Sequence, residues 1–334
     1  MEVREAESLA THTTLALGGK ATLFAEISSE EELKAAVSLA RDRGLPLVVI
    51  GGGSNLLVPD EGVRALVVHL AMRNITIEGE TLLADAGARW DDVVDAATAH
   101  GLWGIENLAG IPGTMGGAAV QNIGAYGAEL SETFSYALVL DTETGETERI
   151  AREDARFAYR MSVFKESRRY VILRVALALR AEGQARKDYK DLRAAHEEGV
   201  PLTTPEEVAR AVRAIRAGKF PDLSLEGSAG SFFKNPVLSA EEADALVRAY
   251  PEVPHFPQAD GTVKVALAWL LDKVLSLKGF AHGAARLYEK QPLVIVTRRG
   301  ATAHDVDTLA RDVATRVHDA TGITLEREVE TFTA

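Results

Sequence analysis

The sequence predicts a mixed α/β or α+β fold. Helix starts announce themselves by cap chemistry, short β-branched runs read as strands, and the two kinds are interspersed along the chain. Ser29 with Glu32 makes a capping box ahead of Leu33, Ala36, Val37 and Ala40. Thr204-Pro205-Glu206-Glu207 places a cap, a first-turn proline and acids before Val208, Val212 and Ile215. Ser239 with Glu242 opens another helix. Thr302 with Asp305 opens one through Leu309, Val313 and Val317 that should stop at Gly322. Strands are expected at Leu47–Ile50, Ala65–His69, Ala137–Leu140, Tyr170–Leu179, Leu293–Thr297 and Ile323–Val329.

The 334 residues suggest two domains at about 150 residues each. A net charge of −12 argues against coating nucleic acid, because that requires a basic surface. A local pocket can still be positive on a negative protein. Cysteine is absent, which removes disulfides, thiolate nucleophiles, iron–sulfur clusters and cysteinyl cofactor attachment. The apolar run Val265–Leu271 is far too short to span a membrane, and acids stand near Met1 where a signal peptide needs basic residues. A soluble, cytoplasmic, monomeric protein is expected. His69, His100, His196, His255, His282, His304 and His318 show no metal-ligand spacing, so no metal is expected. Gly183, the charges to Lys190, Gly199-Val200-Pro201 and Pro205 mark an exposed excursion, after which a second domain starts near residue 219.

Gly51-Gly52-Gly53-Ser54-Asn55 follows the strand Leu47–Ile50 directly. Three glycines there let backbone amides approach a ligand such as a diphosphate, and Ser54 and Asn55 add short polar side chains. Neither familiar nucleotide-loop spacing is present, and the loop alone is equally compatible with a tight turn. The stretch from Gly110 to Gly127 holds six glycines and no charge. Two such loops in one chain point to an extended cofactor with a diphosphate.

Together with Tyr159-Arg160-Met161-Ser162-Val163-Phe164-Lys165, Gly230-Ser231-Phe232-Phe233-Lys234-Asn235-Pro236 and Leu325-Glu326-Arg327-Glu328-Val329, these loops resemble the UDP-N-acetylenolpyruvoylglucosamine reductase (MurB) family. The resemblance runs from about Thr13 to Val329. It implies an FAD-binding region of vanillyl-alcohol-oxidase type over 13–182, in lobes of about 13–62 and 63–182. It further implies a Tyr-loop excursion and linking helix over 183–218 and a C-terminal α+β substrate-binding domain over 219–334. The implied activity is reduction of the enolpyruvyl ether of UDP-N-acetylglucosamine to UDP-N-acetylmuramate, with NADPH as co-substrate and FAD bound non-covalently. By position, FAD would be held by Gly51, Gly52, Gly53, Ser54, Asn55, Ile111, Pro112, Gly113, Thr114, Gly116, Gly117, Asn122, Gly124, Ala125, Tyr126 and Gly127. Tyr189, in Asp188-Tyr189-Lys190-Asp191-Leu192, matches the tyrosine that folds over substrate in one subtype. His12-Thr13-Thr14 departs from the family's Asn-Thr-aromatic, and His12 raises the alternative of a covalent flavin.

Reducing such an ether requires hydride at one alkene carbon, stabilisation of charge on the carboxylate side, and a proton at the other carbon. Arg160 suits the carboxylate, since a guanidinium stays charged and binds in two-pronged fashion; unaided by the resemblance, it reads as a surface partner of Glu153 or Asp154. The family implies Ser231 as proton donor, where the residues alone suggest a turn cap. Glu326 and Glu328 share strand parity, and the family pattern selects Glu328 as the third catalytic residue. Lys219, Asn235 and Gln291 match substrate-binding positions. A flavin oxidase and an inert nucleotide-sugar binder are the competing functions.

Overall fold

Apolar alternation builds the first sheet. In the computed structural model, which describes residues 1–334, its strands lie in the order Val3–Glu5, Ala21–Ile27, Val63–Leu70, Leu47–Ile50. The first pairing is antiparallel and the other two are parallel. The row Phe24–Val67–Val48 points to one face, where it packs with Leu9, Val58 and Phe332. The next row, Leu23–Leu66–Leu47, turns to the opposite face and joins the largest core. Each face therefore has its own partner, as period-two side chains demand. This sheet runs on to Leu70, past the expected lobe boundary at 62/63, because Val63–Leu70 is hydrogen-bonded on both sides.

The second sheet is antiparallel, in the order Thr147–Ala151, Phe134–Asp141, Tyr170–Ala178, Thr81–Asp85, Ile75–Glu78. Helices Trp90–Ala99 and Met115–Gln121 add Val93, Val94, Met115 and Ala119 to the same core. The helix Pro205–Lys219 buries Val208, Ala209, Ala211 and Val212 there too. A separate core holds the C-terminal part. It joins the sheet Gly227–Ser231, Val294–Thr297, Ala285–Leu287, Ala281–His282 to Val306, Leu309, Ala310, Val313 and Val317 of helix Ala303–Thr321.

The four helices with cap signals start where those signals stand. Ser29, Thr204, Ser239 and Thr302 each accept a hydrogen bond from the amide three residues on, and Gly322 closes the last helix at φ 74°. Two expectations change. Ile323–Val329 is not a strand: Phe233 and Arg327 form an isolated bridge, and pairing begins only at Glu330–Thr331, parallel to Leu56–Leu57. The stretch 110–127 is not all loop, because Thr114 caps the seven-residue helix Met115–Gln121. That Glu330–Leu56 pairing carries the C-terminal segment back to the first glycine loop.

Candidate active site

A cavity of about 600 Å³ lies where the two glycine loops, the Tyr189 segment and the C-terminal core meet. The glycines of the first loop are dictated by what packs on them, Gly51 and Gly52 by the second loop and Gly53 by the His12–Thr13 backbone. A Cβ on Gly51 would stand 2.7 Å from Thr114 Oγ1, and one on Gly52 would stand 2.8 Å from the Gly113 Cα. Gly53, at φ +60°, faces the His12 carbonyl so closely that a Cβ would lie 2.0 Å from it. Close backbone packing therefore accounts for the residue type at all three positions. The amides of Gly52, Gly53 and Ser54 donate to no protein acceptor, so the backbone facing the cavity keeps its hydrogen-bonding capacity. Such unpaired donors, beside positions where no side chain fits, suit the diphosphate of a dinucleotide cofactor such as FAD.

Gly51 to Asn55, Ile111 to Thr114, Gly116, Gly117 and Gly124 to Tyr126 line the cavity. Asn122 and Gly127 do not. Asn122 is the left-handed end of its helix and is 1% exposed. Its amide donates to Glu129 and to the Ala158 carbonyl and accepts from the Ser131 amide. Both amide hydrogens are thereby used within the protein. Gly127 is a turn residue whose carbonyl accepts from Arg186.

His12 stays outside the cavity. Its ring stacks on Phe24 at 4.3 Å, and Nε2 meets Glu7 Oε1 at 3.0 Å, so the geometry gives no support to a covalent flavin there. The departure from the family's N-terminal motif has a local role. Thr14 bonds the Gly53 carbonyl through its amide at 3.1 Å and its hydroxyl at 3.3 Å.

Arg160, Ser231 and Glu328 come together on the cavity wall from three separate segments. Arg160 Nε donates to Glu328 Oε1 at 2.6 Å and Nη2 to the Gly124 carbonyl at 2.9 Å, while Nη1 has no protein acceptor. Its partner is therefore Glu328, and the alternative pairing with Glu153 or Asp154 is not made. Burial works against the Arg160 charge, but Glu328 outweighs it and the net displacement of its pKa is upward. Ser231 ends the strand Gly227–Ser231, and its hydroxyl has no protein partner. The next carbonyl, that of Phe232, accepts the Glu328 amide at 2.9 Å, which ties the serine turn to the glutamate. Glu326 turns away, 72% exposed, and pairs with Lys234. Arg327, between the two acids, binds Asp307 of the last long helix at 2.7 Å.

Tyr189, Lys219, Asn235 and Gln291 also line the cavity. Tyr189 caps the helix Lys190–Glu197 and meets Tyr126 edge-on at 5.2 Å. Burial raises both phenol pKa values, that of Tyr126 to about 12, so both hydroxyls stay protonated at neutral pH. Lys219 Nζ is paired with Asp191 of the helix Lys190–Glu197 at 2.5 Å. Asn235 spends its amide oxygen on the Leu267 amide at 3.1 Å, leaving its NH2.

The sequence reading missed Arg216, Gln121, Lys165 and Glu330, all of which line the cavity. Arg216 Nε donates to the Gly110 carbonyl at 3.0 Å, no carboxylate pairs with it, and burial pulls its pKa down. An unpaired cation there suits an anionic ligand. Its signal was available, since it precedes Lys219 by three residues and so shares that helix face.

Comparisons with known proteins agree with this layout. A family model described as an FAD binding domain matches residues 21–151, and the C-terminal domain of UDP-N-acetylenolpyruvoylglucosamine reductase matches residues 222–332. The UDP-N-acetylenolpyruvoylglucosamine reductase of Pseudomonas aeruginosa is 42% identical over 98% of both chains. The crystal structure of the Thermus caldophilus reductase of that name superposes with a TM-score of 0.71 at 28% identity, over 99% of this chain and 100% of that one. The 6-hydroxy-D-nicotine oxidase of Arthrobacter nicotinovorans, 14% identical with a TM-score of 0.54 over 97% of this chain and 86% of that one, shares the fold alone.

Proposed function

The chain belongs to the UDP-N-acetylenolpyruvoylglucosamine reductase family, and from that premise we propose how its residues reduce the enolpyruvyl ether of UDP-N-acetylglucosamine to UDP-N-acetylmuramate. The observation that carries the reading is the half-buried Arg160–Glu328 pair, set in one cavity with Ser231 and both glycine loops. FAD, when bound, is the redox centre that relays hydride from NADPH to the substrate.

The chain's own residues position and protonate. Hydride addition at the alkene carbon remote from the carboxylate leaves negative charge spread into that carboxylate. Arg160 Nη1, free of protein acceptors, is available to the charge, and Glu328 holds the guanidinium in register through Nε. Ser231 Oγ carries a proton that no protein acceptor competes for, so it can donate to the adjacent carbon and regain a proton from solvent. The cation of Arg160 lowers the cost of the transient alkoxide. Lys219 and Arg216 supply positive charge for the substrate's diphosphate, and the amides of Asn235 and Gln291 supply hydrogen bonds. In this division of labour residues 13–182 hold FAD, 183–218 form the lid and linking helix, and 219–334 receive the UDP-sugar. We take the enzyme as a cytoplasmic monomer. No helix is long and apolar enough to cross a membrane.

The visible spectrum tests this directly. Purified protein should show oxidised flavin bands that bleach with anaerobic NADPH and return when the enolpyruvyl substrate is added. Acid precipitation should leave the flavin in the supernatant. A colourless protein that takes up no FAD would overturn the reading, and flavin pelleting with the chain would overturn non-covalent binding.

Tyr189 tests the lid. Tyr189→Phe keeps the ring against Tyr126 and removes one neutral donor. Its KM for the UDP-sugar should rise by up to about tenfold, the equivalent of one hydrogen bond of about 0.5–1.5 kcal/mol, with flavin content unchanged. Loss of flavin would instead assign the segment to the cofactor pocket.

A further inference from the structure

We propose that Lys165 is a positioning residue that holds Arg160 in its working geometry against Glu328. The inference rests on the role of Arg160 proposed above. Arg160 has φ +56°, a left-handed backbone that is strained for a non-glycine residue and persists only where neighbours impose it. Those neighbours are visible. Ala158 and Met161 exchange backbone hydrogen bonds across the turn, and Ser162 Oγ donates to the Val120 carbonyl at 2.7 Å. The group that grips the Arg160 backbone itself is Lys165, whose Nζ donates to the Arg160 carbonyl at 3.2 Å.

Lys165 is fixed in turn by two further acceptors. Its Nζ lies 3.2 Å from Gln121 Oε1 and 2.7 Å from Glu330 Oε1, and Gln121 Nε2 donates to the same Glu330 oxygen at 2.6 Å. The ammonium is thereby held by two hydrogen bonds and one ion pair. The Lys165 side chain is 15% exposed and that of Glu330 is 40% exposed, so the ammonium end of the network is the more sheltered from water. Glu330 follows Glu328 by two residues, and its amide bonds the Asn55 carbonyl at 3.0 Å. Two ion pairs, Arg160–Glu328 and Lys165–Glu330, therefore lash one turn to one C-terminal segment. The second restrains the backbone from which the first is built. Relaxing Arg160 towards a negative φ would swing its carbonyl away from Lys165 and its guanidinium away from Glu328 and the Gly124 carbonyl.

The test separates Lys165 from Arg160. Lys165→Met should keep full flavin content and near-normal bleaching by NADPH, with the substrate KM little changed. Reoxidation by the enolpyruvyl substrate should slow by ~10–10²-fold, the scale of an ångström-level misplacement. Lys165→Arg, which keeps a charged donor, should recover most of that loss. In an Arg160→Lys background, Lys165→Met should add less than about threefold, since both act through one group. A crystal structure of Lys165→Met should show Arg160 outside the positive-φ region. Loss of flavin, equal slowing of the NADPH step, or fully multiplicative effects with Arg160→Lys would each overturn the inference. If Lys165→Met does not fold, Glu330→Gln loosens the same ammonium and should slow the same step; a normal rate there would overturn it. A wild-type reoxidation rate in Arg160→Lys alone would instead sink the proposed role of Arg160.

Discussion

Ser231→Ala is expected to fold, bind FAD and accept electrons from NADPH at a near-normal rate, yet return them to the enolpyruvyl substrate at least ~10²-fold more slowly, the lower end for a lost general acid. The asymmetry follows from bond counting. Flavin reduction by NADPH places no proton on substrate carbon, whereas completing the addition does. The hydroxyl also bears no structural load: it has no protein hydrogen-bond partner, while the neighbouring Ser228 bonds the Ile295 carbonyl at 3.0 Å and is 3% exposed. Removing Ser231 Oγ thus leaves no buried group unpaired. Anaerobic stopped-flow absorbance of the flavin follows the two steps separately. Impairment confined to the NADPH step would show that Ser231 is not the proton donor.

That Ser231 could be singled out at all came from family likeness, and the physical reason is instructive. Local features were legible in the residues. A capped start such as Thr302 with Asp305 is completed within four residues, and a strand such as Leu47–Ile50 needs only its own β-branched pattern. The helix Trp90–Ala99 went unread because its N-cap, Arg89, makes no side-chain cap bond. The glycine loops were legible as unusual, but their cause was not. Gly52 is glycine because Gly113 lies against it, and that proximity is created by the fold. The same holds for the site. Arg160 and Glu328 stand 168 positions apart, and Gln121 and Glu330 stand 209 apart, so neither pair leaves a spacing to detect. Parity could not divide Glu326 from Glu328 for a further reason. The segment has one isolated bridge and no regular strand, so alternation does not govern it.

The structure does divide them, and the division gives the second large effect. Glu328→Gln should slow reoxidation of the reduced flavin by substrate by ~10–10²-fold, with flavin content and the NADPH step preserved. Glu328 is 17% exposed and accepts a charge-assisted bond from an arginine that is itself 16% exposed. Neutralising the acid leaves that guanidinium enclosed without its counter-charge, and a hydrogen bond to a charged group is worth about 1.5–3 kcal/mol. The amide could still accept from Nε, so position would be partly kept while charge is lost. Glu326→Gln is the internal control. It removes an ion pair in which the acid is 72% exposed, a contact worth about 0–1 kcal/mol and outside the cavity lining. Its reoxidation rate should match that of the unaltered enzyme. Equal slowing in the two variants would mean that the effect comes from the segment's net charge, and the direct hold of Glu328 on Arg160 would then carry no part of the rate.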